Sequence, residues 1–480
     1  MLNKHHKNNF FLIATIVVFV FSCNSKQETI SFDNFLERGE FAQLQHVVDS
    51  LRESGSGSYT EFELDSVEQL MHGIRRDFSK SEAEMREQLQ KAFPLASDSK
   101  IENWENTGKL EMRTIDGEKR YFGNAVPNLR RLLTFDQAKR DGDSNYKVDP
   151  NSLTAFRLNH SQQVVEAVNE NTNTVLPQQI TFDYRLTVKP NVVPAGETIR
   201  CWLPAPREGN PRQGNFMLLN SEPVEYKLAP NEYLQRTFYM EKKAVKDEPT
   251  VFSVRFSMQT KAQYFDLSPE DILPYDTASE IYMKNTIERF PHIVFSPEIL
   301  ELAKDIVGDE TNPLKKVKAI YSWISDSIPW ASALEYGTIP NIPNYVLKNR
   351  HGDCGMHTLL FMTLARSQGI PVKWQSGFML HPGSDNLHDW CEVYYEGVGW
   401  VPVDQSFKLQ PTADKKLHEF YFHGIDAYRL IVNDDYGKKL FPEKKYPRSE
   451  PYDFQRGEVE WDGGNLYFDK WSWDMDVTYQ

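Results

Sequence analysis

The sequence predicts a multidomain α+β protein, and three patterns along its 480 residues predict this class. The first third has apolar residues at helical spacing, the middle alternates like strands, and the last part begins with helices and continues with strands. A chain of this length can bury several hydrophobic cores. We therefore expect an α-rich N-terminal domain, a β-sandwich and a mixed domain that follows it.

The first segment, residues 1–22, is predicted to be a signal peptide. Lys4 and Lys7 precede an apolar run from Phe10 to Phe21, which is too short to cross a bilayer. Cys23 follows a small residue directly after this run, as at a bacterial lipoprotein processing site. The sequence therefore predicts an exported protein with a lipid on Cys23, a tether over residues 23–28 and attachment to a membrane of the cell envelope, on its periplasmic or surface side. The alternative is a plain signal peptide with an unmodified cysteine.

The α-rich domain is predicted over residues 29–175. Apolar residues recur at helical spacing in Phe35–Leu51, Phe62–Phe78 and Ser81–Phe93. Asp116-Gly117 lies between two alternating runs, which predicts a β-hairpin. No motif in this domain indicates a chemistry.

The β-sandwich is predicted over residues 177–265. Ile180–Val188, Thr198–Leu203 and Val251–Met258 alternate apolar and polar residues, and prolines and glycines punctuate them. The net charge of −14 argues against nucleic acid as a partner of this or any other domain, because phosphate binding needs a basic surface.

The mixed domain, residues 268–435, contains a cysteine at a predicted helix start. Two predicted helices lead to a long irregular loop, Ala331–Tyr345, and then to Cys354. The helix after Cys354 is expected to end before Gly369-Ile370-Pro371. Free amides at a helix start lower a thiol pKa, so a reactive thiolate is one interpretation, and a small buried apolar residue is the other.

Downstream of this helix, residues 388–404 predict a hairpin that pairs an imidazole with a carboxylate. Aromatic and β-branched residues flank Glu396-Gly397-Val398-Gly399. A three-residue loop, Tyr395–Gly397, places His388 directly opposite Asp404 on one face of the sheet, whereas a two-residue loop places them on opposite faces. The thiol, imidazole and carboxylate have the chemistry of a nucleophile, base and orienter.

These motifs resemble the core of the transglutaminase-like superfamily over roughly residues 290–410. The matching residues are Gly352-Asp353-Cys354, Arg366 with Gly369-Ile370-Pro371, His388-x-Trp390-x-Glu392 and Gly399-Trp400-x-x-x-Asp404. The resemblance implies a papain-like fold with Cys354 as nucleophile, His388 as base and Asp404 as orienter.

Several other residues receive a prediction. Trp330 and Trp390 are candidates for an oxyanion donor or a cleft wall, with Trp330 preferred as the donor. Cys201 and Cys391 are expected to be buried packing residues or a disulfide pair. No metal site and no cofactor are expected, because the histidines near Cys354 lack a zinc spacing. The C-terminal extension, residues 436–480, is rich in aromatic residues, which predicts packing on a sheet or a platform that stacks on sugars or peptides.

Three functions agree with these residues. The first is a cysteine-dependent amide hydrolase, a peptidase or amidase that forms a thioester on a peptide or amide substrate. The second is acyl transfer from protein glutamine to an amine, in which an amine rather than water resolves the thioester. The third is a non-enzymatic envelope protein that binds a ligand with the same fold. All three residues of the predicted triad are present, which argues against the third function. The residues do not separate the first two functions, and the resemblance to exported bacterial members of the family, which are more often hydrolytic, makes hydrolysis the preferred prediction.

Overall fold

The computed structural model describes residues 15–17, 29–55, 59–141 and 148–479. Helices and antiparallel sheets both contribute, so the predicted α+β class is confirmed. Apart from a short strand at Thr15–Val17, the predicted signal peptide, Cys23 and the tether lie outside the described residues. Among the described residues, no helix combines the length and apolar character needed to span a bilayer.

The chain divides into two compact units between Val126 and Pro127. The first unit is mostly helical. Its strands are β1 Thr15–Val17, β2 Thr29–Ser31, β3 Lys80–Ser81, β4 Met112–Ile115 and β5 Glu118–Tyr121, and its helices are α1 Phe32–Arg38, α2 Phe41–Ser54, α3 Glu61–Asp77, α4 Glu82–Ala92 and α5 Asp98–Asn106.

The first unit follows local sequence signals closely. Capping boxes begin α3 at Thr60 and α4 at Ser81, so the N–H groups of the cap residue and of the third helical residue have acceptors in both helices. Strands β4 and β5 pair around Asp116-Gly117, which confirms the predicted hairpin.

The second unit contains all remaining elements. Its helices are α6 Ala125–Asp141, whose first two residues precede the division, α7 Leu153–Ala167, α8 Glu280–Asn285, α9 Pro297–Val307, α10 Pro313–Ser327, α11 Ile342–Asn349, α12 Cys354–Ser367 and α13 Lys415–His418, with 3-10 turns at Pro269–Asp271, Tyr336–Thr338 and Phe420–Phe422. Its strands are β6 Thr174–Val188, β7 Thr198–Pro204, β8 Gln213–Glu222, β9 Lys227–Leu228, β10 Thr237–Lys243, β11 Thr250–Tyr264, β12 Val372–His381, β13 Ser384–Tyr395, β14 Gly399–Val403, β15 Gly424–Ile425, β16 Arg429–Asn433, β17 Glu458–Trp461, β18 Gly464–Asn465 and β19 Trp471–Tyr479.

Helix α7 lies in the second unit, although the predicted N-terminal domain extended to residue 175. His160 of α7 accepts a hydrogen bond from the main-chain N–H of Ala427, and Ser161 accepts one from Gln410. These contacts join α7 to the unit that carries Cys354. A helical pattern in the sequence indicates which face of a helix is buried, and it does not indicate the partner of that face.

Two sheets form the sandwich-like part of the second unit. One has the strand order β18-β17-β7-β10-β9, and the other has the order β15-β11-β6-β19 with β8 added on β11. A single hydrophobic cluster includes residues of both sheets together with Phe378, Leu380 and Leu430 of the sheet that follows Cys354. The sandwich therefore supports the strands that carry the candidate site.

The aromatic C-terminal residues complete these two sheets. Strand β17 pairs with β7, and β19 pairs with β6 along its whole length. Trp471 is buried, and the ring of Trp473 stacks with that of Tyr184 at 6.0 Å between centroids. The extension thus supplies edge strands to the sandwich.

Helix α12 and the four-stranded sheet β14-β13-β12-β16 carry the candidate site. The segment Ala331–Tyr345 before it is less irregular than predicted, because it contains a 3-10 turn and the start of α11. Asn341 caps α11 by accepting from the N–H of Asn344 at 2.9 Å. Pro343 in the first turn of α11 fits a helix start, although in the sequence the prolines suggested a loop.

Candidate active site

Cys354 is the first residue of helix α12. The carboxylate of Asp353 caps this helix and accepts from the N–H of Met356 at 3.1 Å. Every residue of α12 from Gly355 to Arg366 is buried, and Gly369 beyond its end has a φ of 73°, as expected for a helix exit. The predicted helix with a thiol in its first turn is therefore confirmed.

The Cys354 thiol is half-buried, and it donates a hydrogen bond to Oδ2 of Asp389 at 3.3 Å. Gly355 makes this approach possible. A Cβ at position 355 would lie 2.7 Å from Asp389 Oδ2 and would overlap the hydroxyl group of Tyr336. That hydroxyl donates to Oδ1 of Asp353 at 2.5 Å, so a tyrosine and two carboxyl groups surround the start of α12.

The electrostatics of this group differ from the prediction. Burial, together with the carboxylates of Asp389 and Asp353, raises the pKa of Cys354 well above its usual value. The predicted lowering of the pKa is wrong, because desolvation and two acidic neighbours outweigh the free amides at the start of α12. Burial also raises the pKa of Asp353 to about 6, and burial followed by the charge of Asp453 raises that of Asp389 well above its usual value.

His388 and Asp404 form a buried pair, with 2.7 Å between His388 Nε2 and Asp404 Oδ2. The same carboxylate accepts from Arg429 Nη2 at 3.1 Å and from the hydroxyl of Ser406 at 3.0 Å. Burial opposes ionisation of Asp404, but His388 and Arg429 stabilise the carboxylate and hold its pKa at about 2. The imidazole is therefore oriented by an ionised carboxylate.

The hairpin reaches this pairing with a register two residues away from the predicted one. Tyr394 pairs with Trp400, and Glu392 pairs with Pro402, so the loop is Glu396–Val398 instead of Tyr395–Gly397. A shift by two residues keeps every side chain on its face. Asp404, just beyond β14, is consequently diagonal to His388 and not directly opposite it, and the distance is still that of a hydrogen bond.

The structure separates the thiol from this pair. His388 and Asp389 are consecutive in β13, whose pairing with β12 is continuous, so their side chains point to opposite faces of the sheet. Asp389 contacts Cys354, while His388 contacts Asp404. Among the residues that the structure describes, no hydrogen bond joins Cys354 to His388. Asp389, on the face of β13 away from His388, is therefore the residue of this strand that contacts the thiol.

Arg429 is a buried partner of Asp404 that the sequence did not indicate. Its guanidinium binds Asp404, and it also binds Oδ1 of Asp426 at 3.0 Å. Asp426 in turn accepts from His381 Nε2 at 3.2 Å, so Arg429 connects two buried histidine–aspartate pairs. Because β16 comes from a distant part of the chain and carries no motif, no local signal could have revealed this contact.

The two candidate tryptophans have different environments. Trp330 is 39% exposed, pairs with Gly352 in a short parallel bridge and has the guanidinium of Arg131 5.0 Å from its ring centroid. It therefore lies beside the segment that carries Cys354. Trp390 is buried and donates through Nε1 to Gln375 at 2.9 Å, which excludes it as the wall of an open cleft.

The two other cysteines among the described residues, Cys201 and Cys391, make no contact with Cys354, His388 or Asp404 by hydrogen bond. Cys201 and Cys391 are both free and buried, so they form no disulfide. Cys391 donates to the carbonyl of Val403 at 3.6 Å. Within the described parts of the chain, no group of three histidine, cysteine or acidic side chains has the arrangement of a metal site.

Comparisons with known proteins agree with the residue pattern. Residues 300–405 match the model of the transglutaminase-like superfamily. An uncharacterized protein of Haemophilus influenzae is 27% identical over 327 residues, which are 58% of this chain and 85% of the relative. The human kyphoscoliosis peptidase is 26% identical over 195 residues, which are 36% of this chain and 28% of that protein.

A solved structure shows a limited likeness. The crystal structure of a candidate cysteine protease from Cytophaga hutchinsonii aligns with a TM-score of 0.44 and 15% identity, covering 64% of this chain and 91% of that one. The helix that begins at Cys354, the hairpin that carries His388 and the Asp404 that follows it all lie within residues 300–405. These residues form a transglutaminase-like domain.

Proposed function

We propose that this protein is a cysteine-dependent amide hydrolase, with Cys354 as nucleophile, His388 as base and Asp404 as orienter. The observation that carries the proposal is the buried His388–Asp404 hydrogen bond of 2.7 Å, in the same transglutaminase-like domain as a half-buried cysteine at a helix start. This combination of groups is the one that nucleophilic acyl transfer requires.

The reaction divides into two steps. The Cys354 thiol gives its proton to the imidazole, and the sulfur adds to the amide carbon of the substrate. The C–N bond then breaks, the amine leaves with the proton from the imidazole, and the acyl group remains on sulfur as a thioester. Water, deprotonated by His388, attacks this thioester and releases the carboxylic acid and the thiol.

The carboxylate of Asp404 keeps the imidazole in one tautomer. Its bonds to Arg429 and Ser406 restrain both of its oxygens, so it cannot turn away from His388. The N–H of Cys354, in the first turn of α12, has no acceptor within the helix and is the main-chain donor we propose for the oxyanion. Trp330, half-exposed beside Gly352, is the proposed side-chain donor.

The thiol must change its hydrogen bond before this reaction. In the structure it donates to Asp389, which lies on the opposite face of β13 from His388. The proposal therefore requires the start of α12 to move relative to β13, so that the Cys354 sulfur leaves Asp389 and reaches the imidazole.

Acyl transfer to an amine is the second candidate. The match to the transglutaminase-like superfamily favours it, while the similarity to a protein named a peptidase favours hydrolysis. Both reactions form the same thioester, so the acceptor decides between them. We rank hydrolysis first.

The proposed function is tested by trapping the thioester. The protein is incubated with a mixture of peptides, acidified, digested and analysed by mass spectrometry for an acyl adduct on Cys354. The wild type and a Cys391→Ala control should both form the adduct, while Cys354→Ala should form none and release no product. Peptide turnover by Cys354→Ala at the wild-type rate would contradict the proposal. Added amines that become joined to the acyl group would identify the second candidate.

We also propose that the protein is an exported lipoprotein. The charged start, the apolar run and Cys23 in the sequence support this location.

A further inference from the structure

A buried acidic group next to the nucleophile has no role in the proposed reaction. Asp389 is 2% exposed, and its Oδ2 accepts the hydrogen bond from the Cys354 thiol at 3.3 Å. A carboxyl group that accepts a hydrogen bond from a thiol opposes formation of the thiolate. Ionisation of the thiol would remove this hydrogen bond, and it would place a negative sulfur beside a carboxylate.

The position of Asp389 is held by a separate segment of the chain. Its Oδ1 accepts from Gln455 Nε2 at 3.0 Å, and the same amide donates to the carbonyls of Gly377 and His388 at 3.0 and 2.9 Å. Gln455 is itself 1% exposed. The carboxyl group is therefore bound at one oxygen by a buried amide and at the other by the thiol.

Tyr336 and several carboxyl groups lie close to the Cys354 thiol and to Asp389. The missing side chain at Gly355 admits both Asp389 and Tyr336 to the start of α12. The titratable groups that affect the ionisation of the thiol or of Asp389 are Asp353 at the helix cap, Tyr336 in the 3-10 turn, and Asp453 and Glu450 in the segment before Gln455. All four are carboxyl or phenol groups, which are neutral or negative, so none of them can stabilise a thiolate as a cation would.

We propose that Asp389 is a positioning residue that holds Cys354 as a hydrogen-bonded thiol on the side of β13 away from His388, and that the nucleophile becomes reactive when this bond is broken. The proposal rests on the proposed function, since it describes the resting state of that same site. It assigns to Asp389 a role in restraint, and His388 remains the base.

The test measures the rate at which iodoacetamide alkylates Cys354, followed by mass spectrometry of the peptide that contains it. Asp389→Asn keeps the shape of the side chain and removes the carboxyl group. We expect its alkylation rate at neutral pH to rise about tenfold or more, because a thiol pKa lower by one unit gives ten times as much thiolate. Asp385→Asn is the matched control, since Asp385 is an exposed residue on the same face of the same strand.

Two readouts separate restraint from other roles. The pH profile of alkylation in the wild type should have its midpoint above that of a free cysteine, and the midpoint should fall in Asp389→Asn. Peptide hydrolysis by Asp389→Asn should stay within about tenfold of the wild type, whereas a general base is expected to contribute 10²–10⁴-fold.

Each outcome has a definite meaning. An unchanged or slower alkylation rate in a folded Asp389→Asn would overturn the proposal, and so would loss of hydrolysis in that variant on the scale expected for a base. If the variant does not fold, the wild-type profile decides, because a midpoint at or below that of free cysteine overturns the proposal and a midpoint above it supports the proposal. Activity that survives in Cys354→Ala would refute the proposed function itself, independently of these results.

Discussion

At the scale of single residues, Asp404 combines two roles. Its carboxylate orients His388 and neutralises Arg429, which is buried and also binds Asp426. If Asp404 is removed, the guanidinium of Arg429 still binds Asp426. Loss of Asp404 therefore affects the orientation of the imidazole more than the stability of the fold.

We therefore predict that Asp404→Asn lowers turnover by about 10⁴-fold, because an amide favours the wrong imidazole tautomer. Steady-state hydrolysis and a thermal melt measure the two effects. Asp426→Asn is the matched control, since it removes an equivalent charge from Arg429 and leaves the His388–Asp404 bond in place. Equal losses of turnover in the two variants would show that Asp404 acts only through the fold.

A second residue-scale prediction concerns a buried histidine on α12. Burial, followed by the charge of Lys408, lowers the pKa of His357 from 6.5 to about 3. Below pH 6.5 the unfolded chain binds a proton at this position and the folded chain does not, so folding loses about 1.4 kcal/mol per pH unit from this group. This loss continues until the pH approaches about 3.

Replacing His357 with Gln should therefore change the pH dependence of stability. The difference between the free energies of unfolding of His357→Gln and the wild type should be constant above pH 7.5. As the pH falls through 6.5, this difference should change in favour of the variant by about 1.4 kcal/mol per pH unit. Urea unfolding at a series of pH values measures this difference. A difference that does not vary with pH would show that His357 is protonated equally in both states.

At the scale of elements, α12 and the β13–β14 hairpin show which features local sequence signals predict and which features they leave open. The exit at Gly369 is a local signal, and α12 begins at Cys354 and ends before Gly369 as predicted, with Asp353 as its cap. The hairpin loop has an odd number of residues, as predicted, and only an odd number places His388 and Asp404 on one face. The sequence did not decide whether the three loop residues are Tyr395–Gly397 or Glu396–Val398, because glycine occurs at both 397 and 399 and each has a positive φ.

The contact of α12 with β13 depends on a missing side chain. We predict that Gly355→Ala destabilises the protein by about 1–3 kcal/mol, because a Cβ there overlaps Tyr336 and approaches Asp389. It should also change the alkylation rate of Cys354, whose acceptor would move. Gly214→Ala is the control, because a Cβ at that position meets no atom within 4 Å. Equal stability of the two variants in urea unfolding would contradict this account.

At the scale of the whole molecule, a buried ion pair connects the sandwich segment to the sheet of the candidate site. Arg212, which precedes β8, binds Glu392 of β13 at 3.3 Å, and Lys373 of β12 binds the same carboxylate at 2.9 Å. Arg212 and Glu392 are almost fully buried. Breaking such a pair leaves a buried charge with fewer partners.

We predict that Arg212→Met lowers the free energy of unfolding by about 3–5 kcal/mol, as expected when one partner of a buried ion pair is removed. Arg255→Met is the control, because Arg255 and Asp183 are 3.7 Å apart on the surface and such pairs contribute about 0–1 kcal/mol. Denaturant unfolding measures both. Similar small losses in the two variants would show that Lys373 alone suffices for Glu392.

The proposed location gives a further prediction for the whole molecule. Cys23→Ala should release the protein from the membrane fraction, because two acyl chains on that cysteine would supply most of its membrane affinity. Fractionation of cells that express the wild type, Cys23→Ala and a Cys201→Ala control measures the effect. Unchanged membrane association of Cys23→Ala would contradict lipid attachment.

The sequence by itself determined the α+β class, the helix that begins at Cys354, and the shared face of His388 and Asp404. These follow from capping residues, periodicity and strand parity, all of which act between neighbours in the chain. Only the tertiary structure decided which side of β13 faces the thiol. It placed Asp389 there with Gln455 as its partner, and it gave Asp404 the guanidinium of Arg429. The physical reason is that a strand presents two faces of equal geometry, and the packing of elements far apart in sequence decides which face lies against each side chain of the candidate site.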